Sequence, residues 1–235
     1  MLNPKSESCG FPCGLARRSV IEKEHMVHRE NTEWCDIRVS GASGTTYPRV
    51  LLIGDSIARS YYPHVQKELG GRYACARIAS SKCVADRMYS RELELVLEEY
   101  EFSHIHFNNG LHGWDYDESS YAKSLAGTFD MLAEHCETRS LIWGSTTPVW
   151  AKGEAKTLDA RTERVRERNR IAAGLASARN IVVNDLFSKV VGRPELFSAD
   201  GVHFLEAGQI ALGMYVADAI LKKADIDTDR DRDAH

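Results

Sequence analysis

The sequence predicts an α/β domain of the doubly wound, three-layer kind, built on a five-stranded parallel sheet. Three observations predict it. Short apolar runs alternate with longer amphipathic ones, so the chain reads strand, helix, strand, helix. The first strong run, Val50-Leu51-Leu52-Ile53, is apolar without alternation, as a strand covered on both faces must be. Polar residues follow the carboxyl end of nearly every predicted strand, which is where open α/β sheets bind ligands.

In chain order, residues 1–46 form an N-terminal extension that is expected to be only partly ordered. Its first thirty or so residues lack periodicity, whereas Trp34 to Val39 alternates enough for a short or edge strand. The domain proper spans 47–224. Its first strand ends at Gly54, and the pattern predicts a helix over Tyr61–Leu69, closed by Gly70-Gly71. A second strand follows at Tyr73–Ile78, then a helix at Met88–Glu99 and a third strand at Ser103–Asn109. Tyr121–Cys136 is helical, with Leu125, Phe129 and Leu132 on one face. The fourth strand is Leu141–Trp143. Ala160–Ala178 is a strongly charged helix that turns Val165, Ile171, Ala172 and Leu175 inward. Ile181–Val183 is the fifth strand, and Leu205–Leu221 the closing helix. Residues 225–235 alternate Asp and Arg and are expected to be a solvated tail.

The 235 residues carry a net charge of -4, which leaves no electrostatic footprint for nucleic acid. No apolar run reaches the roughly 18 residues of a membrane span. No export signal is visible, so the expected location is the cytoplasm, and the six scattered cysteines are expected to be reduced. Cys9 and Cys13 lack a second metal-binding pair. His104 and His106 share one face of a strand, where hydrogen-bonded burial is the commoner use than metal binding.

The chemistry is carried by two segments far apart in sequence. Gly54-Asp55-Ser56 stands between the first buried strand and a helix, so its serine lies at the carboxyl edge of the sheet beside helix-start N–H groups. Ser198-Ala199-Asp200-Gly201-Val202-His203 precedes the last helix. A serine hydroxyl needs a base to take its proton, and an imidazole base works best when a carboxylate fixes its tautomer. Asp200 and His203 supply both from one loop. Taken alone, Ser56 could be a mere helix cap.

Together these residues resemble the SGNH, or GDSL-type, hydrolases, over roughly residues 48–222. The resemblance implies a flavodoxin-like sandwich and makes Ser56 the nucleophile, His203 the general base and Asp200 its orienting partner. The run Phe107-Asn108-Asn109-Gly110-Leu111-His112, with Thr146-Thr147-Pro148 later, resembles a bacterial subgroup of that family. The family's oxyanion donors are the nucleophile's N–H, a glycine N–H after the second strand and an asparagine in Gly-x-Asn-Asp after the third. This chain departs twice. Ser80 or Ser81 stands where the glycine would be, and His112 where the asparagine would be, with Asn108 as the other candidate. The oxyanion set is therefore Ser56, Ser81, Asn108 and His112. The Ile57-Ala58 that follows Ser56 departs from a Gly-x-Ser-x-Gly elbow and argues against the α/β-hydrolase fold.

Candidate substrate contacts are Asp55, Trp114, Thr147 and Trp150. The turn backbone is the competing use for Asp55, and core or rim packing for the tryptophans. Arg59, one turn after Ser56, could meet an anionic substrate or face solvent. The resemblance implies a serine esterase without metal or cofactor, acting on a small-molecule or oligosaccharide ester, with O-acetyl removal from a carbohydrate as the favoured reaction. A lysophospholipase or acyl thioesterase is the alternative among enzymes. A non-catalytic carbohydrate-binding protein on the same fold is the alternative of another class. No membrane or nucleic-acid partner is expected, and the oligomeric state is left open.

Overall fold

A computed structural model of the chain describes residues 27–136, 140–153 and 157–233, with side chains as far as 224. The expectations for the first 26 residues, Cys9 and Cys13 among them, lie outside the described residues. Six strands form one sheet: β1 (Cys35–Val39), β2 (Arg49–Gly54), β3 (Ala74–Ser80), β4 (His104–Phe107), β5 (Leu141–Gly144) and β6 (Val182–Asn184). Their order is β1-β3-β2-β4-β5-β6. Five strands are parallel, in register at Ile53 with Ile78 and Phe107, Phe107 with Trp143, and Gly144 with Asn184. The sixth is the predicted edge piece. β1 runs antiparallel to β3, with Ile37 opposite Ile78, and covers the backbone of what would otherwise be an open edge.

The helices are α1 (Ser56–Glu68), α2 (Arg87–Leu97), α3 (Glu118–Glu134), α4 (Arg161–Ser177), α5 (Leu186–Val190) and α6 (Glu206–Asp233), with a 3₁₀ turn at Pro194–Leu196. Three of them begin earlier than apolar periodicity suggests, because an aspartate caps each start. The carboxylates of Asp55, Asp86 and Asp117 accept the N–H groups of Ile57, Met88 and Ser120. α6 runs on to Asp233, so the segment expected to be a tail has helical backbone. Adding turns to an established helix costs far less than nucleating one. The short α5 was not anticipated; three of its five residues (Leu186, Phe187 and Val190) are buried, too few for a periodic signal.

Alternation along each strand divides the core in two. Val50, Leu52 and Ile142 point toward Tyr61 and Val65 of α1 and Leu212, Val216 and Ile220 of α6. Leu51, Ile53, Phe107 and Trp143 point to the other face, against Leu93 of α2, Leu125 and Phe129 of α3, and Ala172 of α4. All four apolar residues of β2 have no exposed surface. Burying one such side chain contributes about 1.5–3 kcal/mol, so β2 anchors both layers. α1 and α6 touch at Gly213, where a β-carbon would come within 2.5 Å of His64 Cβ. That closeness fixes the amino-terminal half of α6 over the middle of α1.

From β2 the chain steps to β3 on one side, then crosses back to β4 and continues to β5 and β6. The crevice of such a sheet opens where this direction reverses, between β2 and β4. The turn carrying Ser56 follows β2, at that point.

Candidate active site

Ser56 is the first residue of α1, and its Oγ lies 2.9 Å from His203 Nε2. His203 Nδ1 lies 2.7 Å from Asp200 Oδ2. The two segments, 147 residues apart, thus meet as one hydrogen-bonded chain from hydroxyl to imidazole to carboxylate. Asp200 Oδ1 accepts the Val202 and His203 N–H groups at 2.8 and 2.9 Å and the Ser198 hydroxyl at 2.8 Å. Burial alone would raise this carboxyl. The hydrogen bonds from the His203 ring, the two amides and Ser198 outweigh it and hold Asp200 well below the usual carboxylate range. Asp200 is therefore an anion at neutral pH, and it holds the His203 proton on Nδ1 and the lone pair on Nε2, facing Ser56.

The loop that carries this pair is tied off at its base. Phe197 bridges to Phe204, their ring centres 4.2 Å apart. Ser198 N–H donates to His203 C=O, and Gly201 N–H to Ser198 C=O. The loop is also hung from the segment after β5, because Trp150 N–H donates to Gly201 C=O and Gly153 N–H to Ala199 C=O. His203 and Asp200 remain open to solvent, with 48% and 41% of their side-chain surface exposed. Between the segment before β1 and the loops after β3 and β4 lies a cavity of about 270 Å³, bordered by Arg29, Glu30, Glu33, Lys82, Asp86 and Trp114 and by none of the three residues of the hydrogen-bonded chain.

Residues 19–109 match a family model described as an SGNH domain (fused to AT3 domains). Over those residues the chain is similar to that family. The stretch matched includes Ser56 and the loop's Asn108. Solved structures with the same fold include an acetyl xylan esterase, AlAXEase, at 17% identity and a TM-score of 0.60 over 73% of this chain and 99% of that one. The lipase/acylhydrolase from Enterococcus faecalis matches at 17% identity and a TM-score of 0.57, over 76% and 96% of the two chains. The acetylxylan esterase Axe2 from Geobacillus stearothermophilus matches at 16% and 0.55, over 75% and 93%. No curated protein matches the chain.

Several of the expected site residues have other employment. Ser81 N–H donates to Trp34 C=O at 3.1 Å, and its hydroxyl also bonds Trp34, so this amide is not free for an oxyanion. Ser80 is fully buried, with its hydroxyl on Glu92. Asn108 donates both amide hydrogens to the end of β5, to Gly144 C=O at 2.7 Å and Thr146 Oγ1 at 3.2 Å, as a strand cap would. Asp55 is buried. One of its oxygens caps α1 through Ile57, and the other lies 3.4 Å from Leu111 N, so it braces the turn and does not face substrate. Trp150 is a core residue packed on Phe197, and only its backbone serves the site. Thr147 is buried beneath α1, its hydroxyl bonded to nothing among the described residues. Trp114 does border the cavity. His112 is half-buried, with Nδ1 2.7 Å from Glu30 Oε1. The amide of Ser56 stands in the first turn of α1, where helix N–H groups point outward.

His106 is enclosed between the sheet and α6, with Nε2 near Asn184 Nδ2, and burial lowers its imidazole to about 4. His104 packs edge-on against Tyr73. Among the described residues no group of three His, Cys, Asp or Glu side chains is placed to hold a metal ion.

Sequence reasoning missed Trp34 and Glu30, because an unpatterned arm carries no signal of what it covers. It also missed Arg168, which is 2% exposed and donates to the carbonyls of His112, Gly113 and Tyr116. That one was legible. Arg168 falls three residues after Val165 and four before Ala172, a charge on the apolar face of its helix.

Proposed function

We propose that the chain is a serine ester hydrolase that removes O-acetyl groups from a carbohydrate. The observation that carries the reading is the unbroken Ser56–His203–Asp200 hydrogen-bond chain at the switch point of the sheet. His203 Nε2 takes the hydroxyl proton as Ser56 Oγ attacks the ester carbonyl. The tetrahedral oxyanion is met by the Ser56 amide and His112. His203 then returns the proton to the departing sugar oxygen, leaving Ser56 acetylated. Water attacks the acetyl carbon, with His203 again taking the proton, and acetate leaves. Every step moves a proton or an acyl group, so side chains and water suffice.

The carbohydrate is favoured by the open setting of His203 and by the acetyl xylan esterases among the structures of the same fold. A second reading, a lysophospholipase or acyl thioesterase, is favoured by Leu205, Ile210 and Met214, which are exposed on the stretch just after His203. The third, a carbohydrate-binding protein without turnover, leaves the triad geometry without a use.

The test is hydrolysis of p-nitrophenyl acetate against longer-chain esters, with Ser56→Ala alongside. Acetate as the best acyl group, and a drop of about 10⁴-fold or more in Ser56→Ala, support the proposal. Rates that climb with chain length select the second reading. Absence of turnover together with absence of labelling by a fluorophosphonate selects the third.

A further inference from the structure

Arg59 stands three residues after Ser56 on α1, a spacing that makes two residues neighbours on one helix face, with β-carbons about 5–6 Å apart. Side chains on a helix lean toward its amino terminus, which turns Arg59 toward the end of α1 that carries the nucleophile. Arg59 is exposed, and its guanidinium lies over the face of the Trp34 indole, 4.7 Å from the ring centre. That indole is a fixed platform. Trp34 N–H donates to Ser81 Oγ at 2.9 Å, and Trp34 C=O accepts the Ser81 N–H at 3.1 Å. The cation is therefore held on the β3 side of Ser56, while the His203 loop hangs from the β5 side at Trp150.

What this cation lacks is a carboxylate. Those on the segments that meet here are in use. Glu30 lies against His112, Glu33 against Arg29 and Lys82, and Asp86 against Arg29. Asp55 accepts the N–H groups of Ile57 and Leu111, and Asp200 holds four donors. Among the described residues no ion pair or hydrogen bond engages the Arg59 guanidinium, although acids outnumber bases in the chain, 34 to 30. Stacking covers one face of the guanidinium plane and leaves its N–H edge open. Such an edge matches a carboxylate, two parallel N–H groups against two oxygens.

We infer that Arg59 is a specificity-determining residue that binds the carboxylate of an acidic sugar while Ser56 attacks that sugar's O-acetyl group. This rests on the serine-esterase reading and names its substrate class. A guanidinium already oriented by Trp34 loses little freedom when it binds. The carboxylate is remote from the reacting carbonyl, so the contact is equally strong before and during the reaction and acts through KM.

The probes are methyl glucuronoside acetylated on its ring hydroxyls and the same compound with its carboxylate converted to an uncharged amide. In the wild type, kcat/KM for acetate release should be about tenfold or more higher for the acid than for the amide. In Arg59→Gln that ratio should fall to about one, mostly through KM. Arg59→Lys, which keeps the charge without the planar fork, should retain part of it. Both probes are read on one preparation, so a loss of folded protein in a variant cancels in the ratio. Raising salt from about 0.1 M to 1 M should shrink the wild-type ratio and leave that of Arg59→Gln unmoved. A wild-type ratio near one, or a ratio that Arg59→Gln does not lower, overturns this inference alone and leaves Arg59 a solvated cation resting on Trp34. Turnover of p-nitrophenyl acetate that survives Ser56→Ala overturns the serine reading itself, and this inference with it.

Discussion

Gly201 and Trp150 approach so closely that a β-carbon on Gly201 would lie 2.1 Å from the Trp150 carbonyl oxygen. Gly201 also has φ +74°, in the left-handed region that side chains avoid. The contact sits between Asp200 and His203, so the shape of the acid–base loop is set by backbone against backbone. Gly201→Ala must push the loop away from Trp150, and it breaks the Trp150 N–H to Gly201 C=O bond. The expected result is a loss of about 10²-fold or more in kcat, since an ångström of misplacement suffices. Far-UV circular dichroism should stay native, because residues 198–203 belong to no helix or strand. Near-wild-type kcat in Gly201→Ala would show that the loop tolerates movement.

Asp200→Asn keeps the size of the side chain and lets the His203 ring take the wrong tautomer. A fall of about 10⁴-fold in kcat is expected, with slower fluorophosphonate labelling of Ser56. The stability consequence has a definite sign. Folding lowers this carboxyl from its ordinary value of 3.8, so the anion favours the folded chain above that pH, and the contribution is lost as pH falls through and below it. Urea unfolding at pH 2 to 4 should therefore show a flatter acid dependence in Asp200→Asn. An identical slope would mean that the carboxyl titrates alike in both states.

His106 sets an acid limit of the opposite chemical kind. The unfolded chain protonates this imidazole near its ordinary 6.5, the folded chain only at about 4. Between those values the unfolded state binds the extra proton, so stability falls as pH drops through the window, by up to about 3 kcal/mol. His106→Gln removes the titrating group. Its unfolding free energy should vary with pH by about one proton less than the wild type between pH 4 and 6.5. Parallel curves would count against a neutral, buried His106.

Arg168 holds the loop after β4 by three backbone carbonyls and Glu118. Arg168→Met fills much of the space and takes the donor from the His112 and Gly113 carbonyls, while Arg164 still serves Tyr116 and Glu118, at a cost of about 2–4 kcal/mol. Arg168→Lys restores the charge without the planar fork, so most of the loss should remain. Thermal unfolding of both variants checks the first part. A fully rescued Arg168→Lys would reduce the clamp to simple charge.

Ser56, Asp200 and His203 were legible because each lies in a short segment whose role follows from local chemistry: a turn after a buried strand, and an acid and a base on one loop before a helix. β2 and β5 were legible for a similar reason, since burial on both faces leaves an apolar run. Helix starts were misjudged by up to five residues at α1, where Asp55 begins the helix before any apolar repeat is visible. The oxyanion donors were harder. Ser81 and Asn108 have suitable groups at suitable places in the chain, and only their partners, Trp34 and the end of β5, reveal that those groups are already engaged.

By itself, then, the amino-acid order determined the alternating architecture, the family resemblance and the three residues of the hydrogen-bonded chain. Periodicity and motif spacing are properties of neighbours along the polypeptide. What the tertiary structure alone decided was which polar atoms are free to act. Glu30 meets His112 across 82 residues, and Arg168 reaches the same loop from α4. A hydrogen bond between distant segments leaves no periodic trace in either, so availability for chemistry becomes visible only when the fold has brought the partners together.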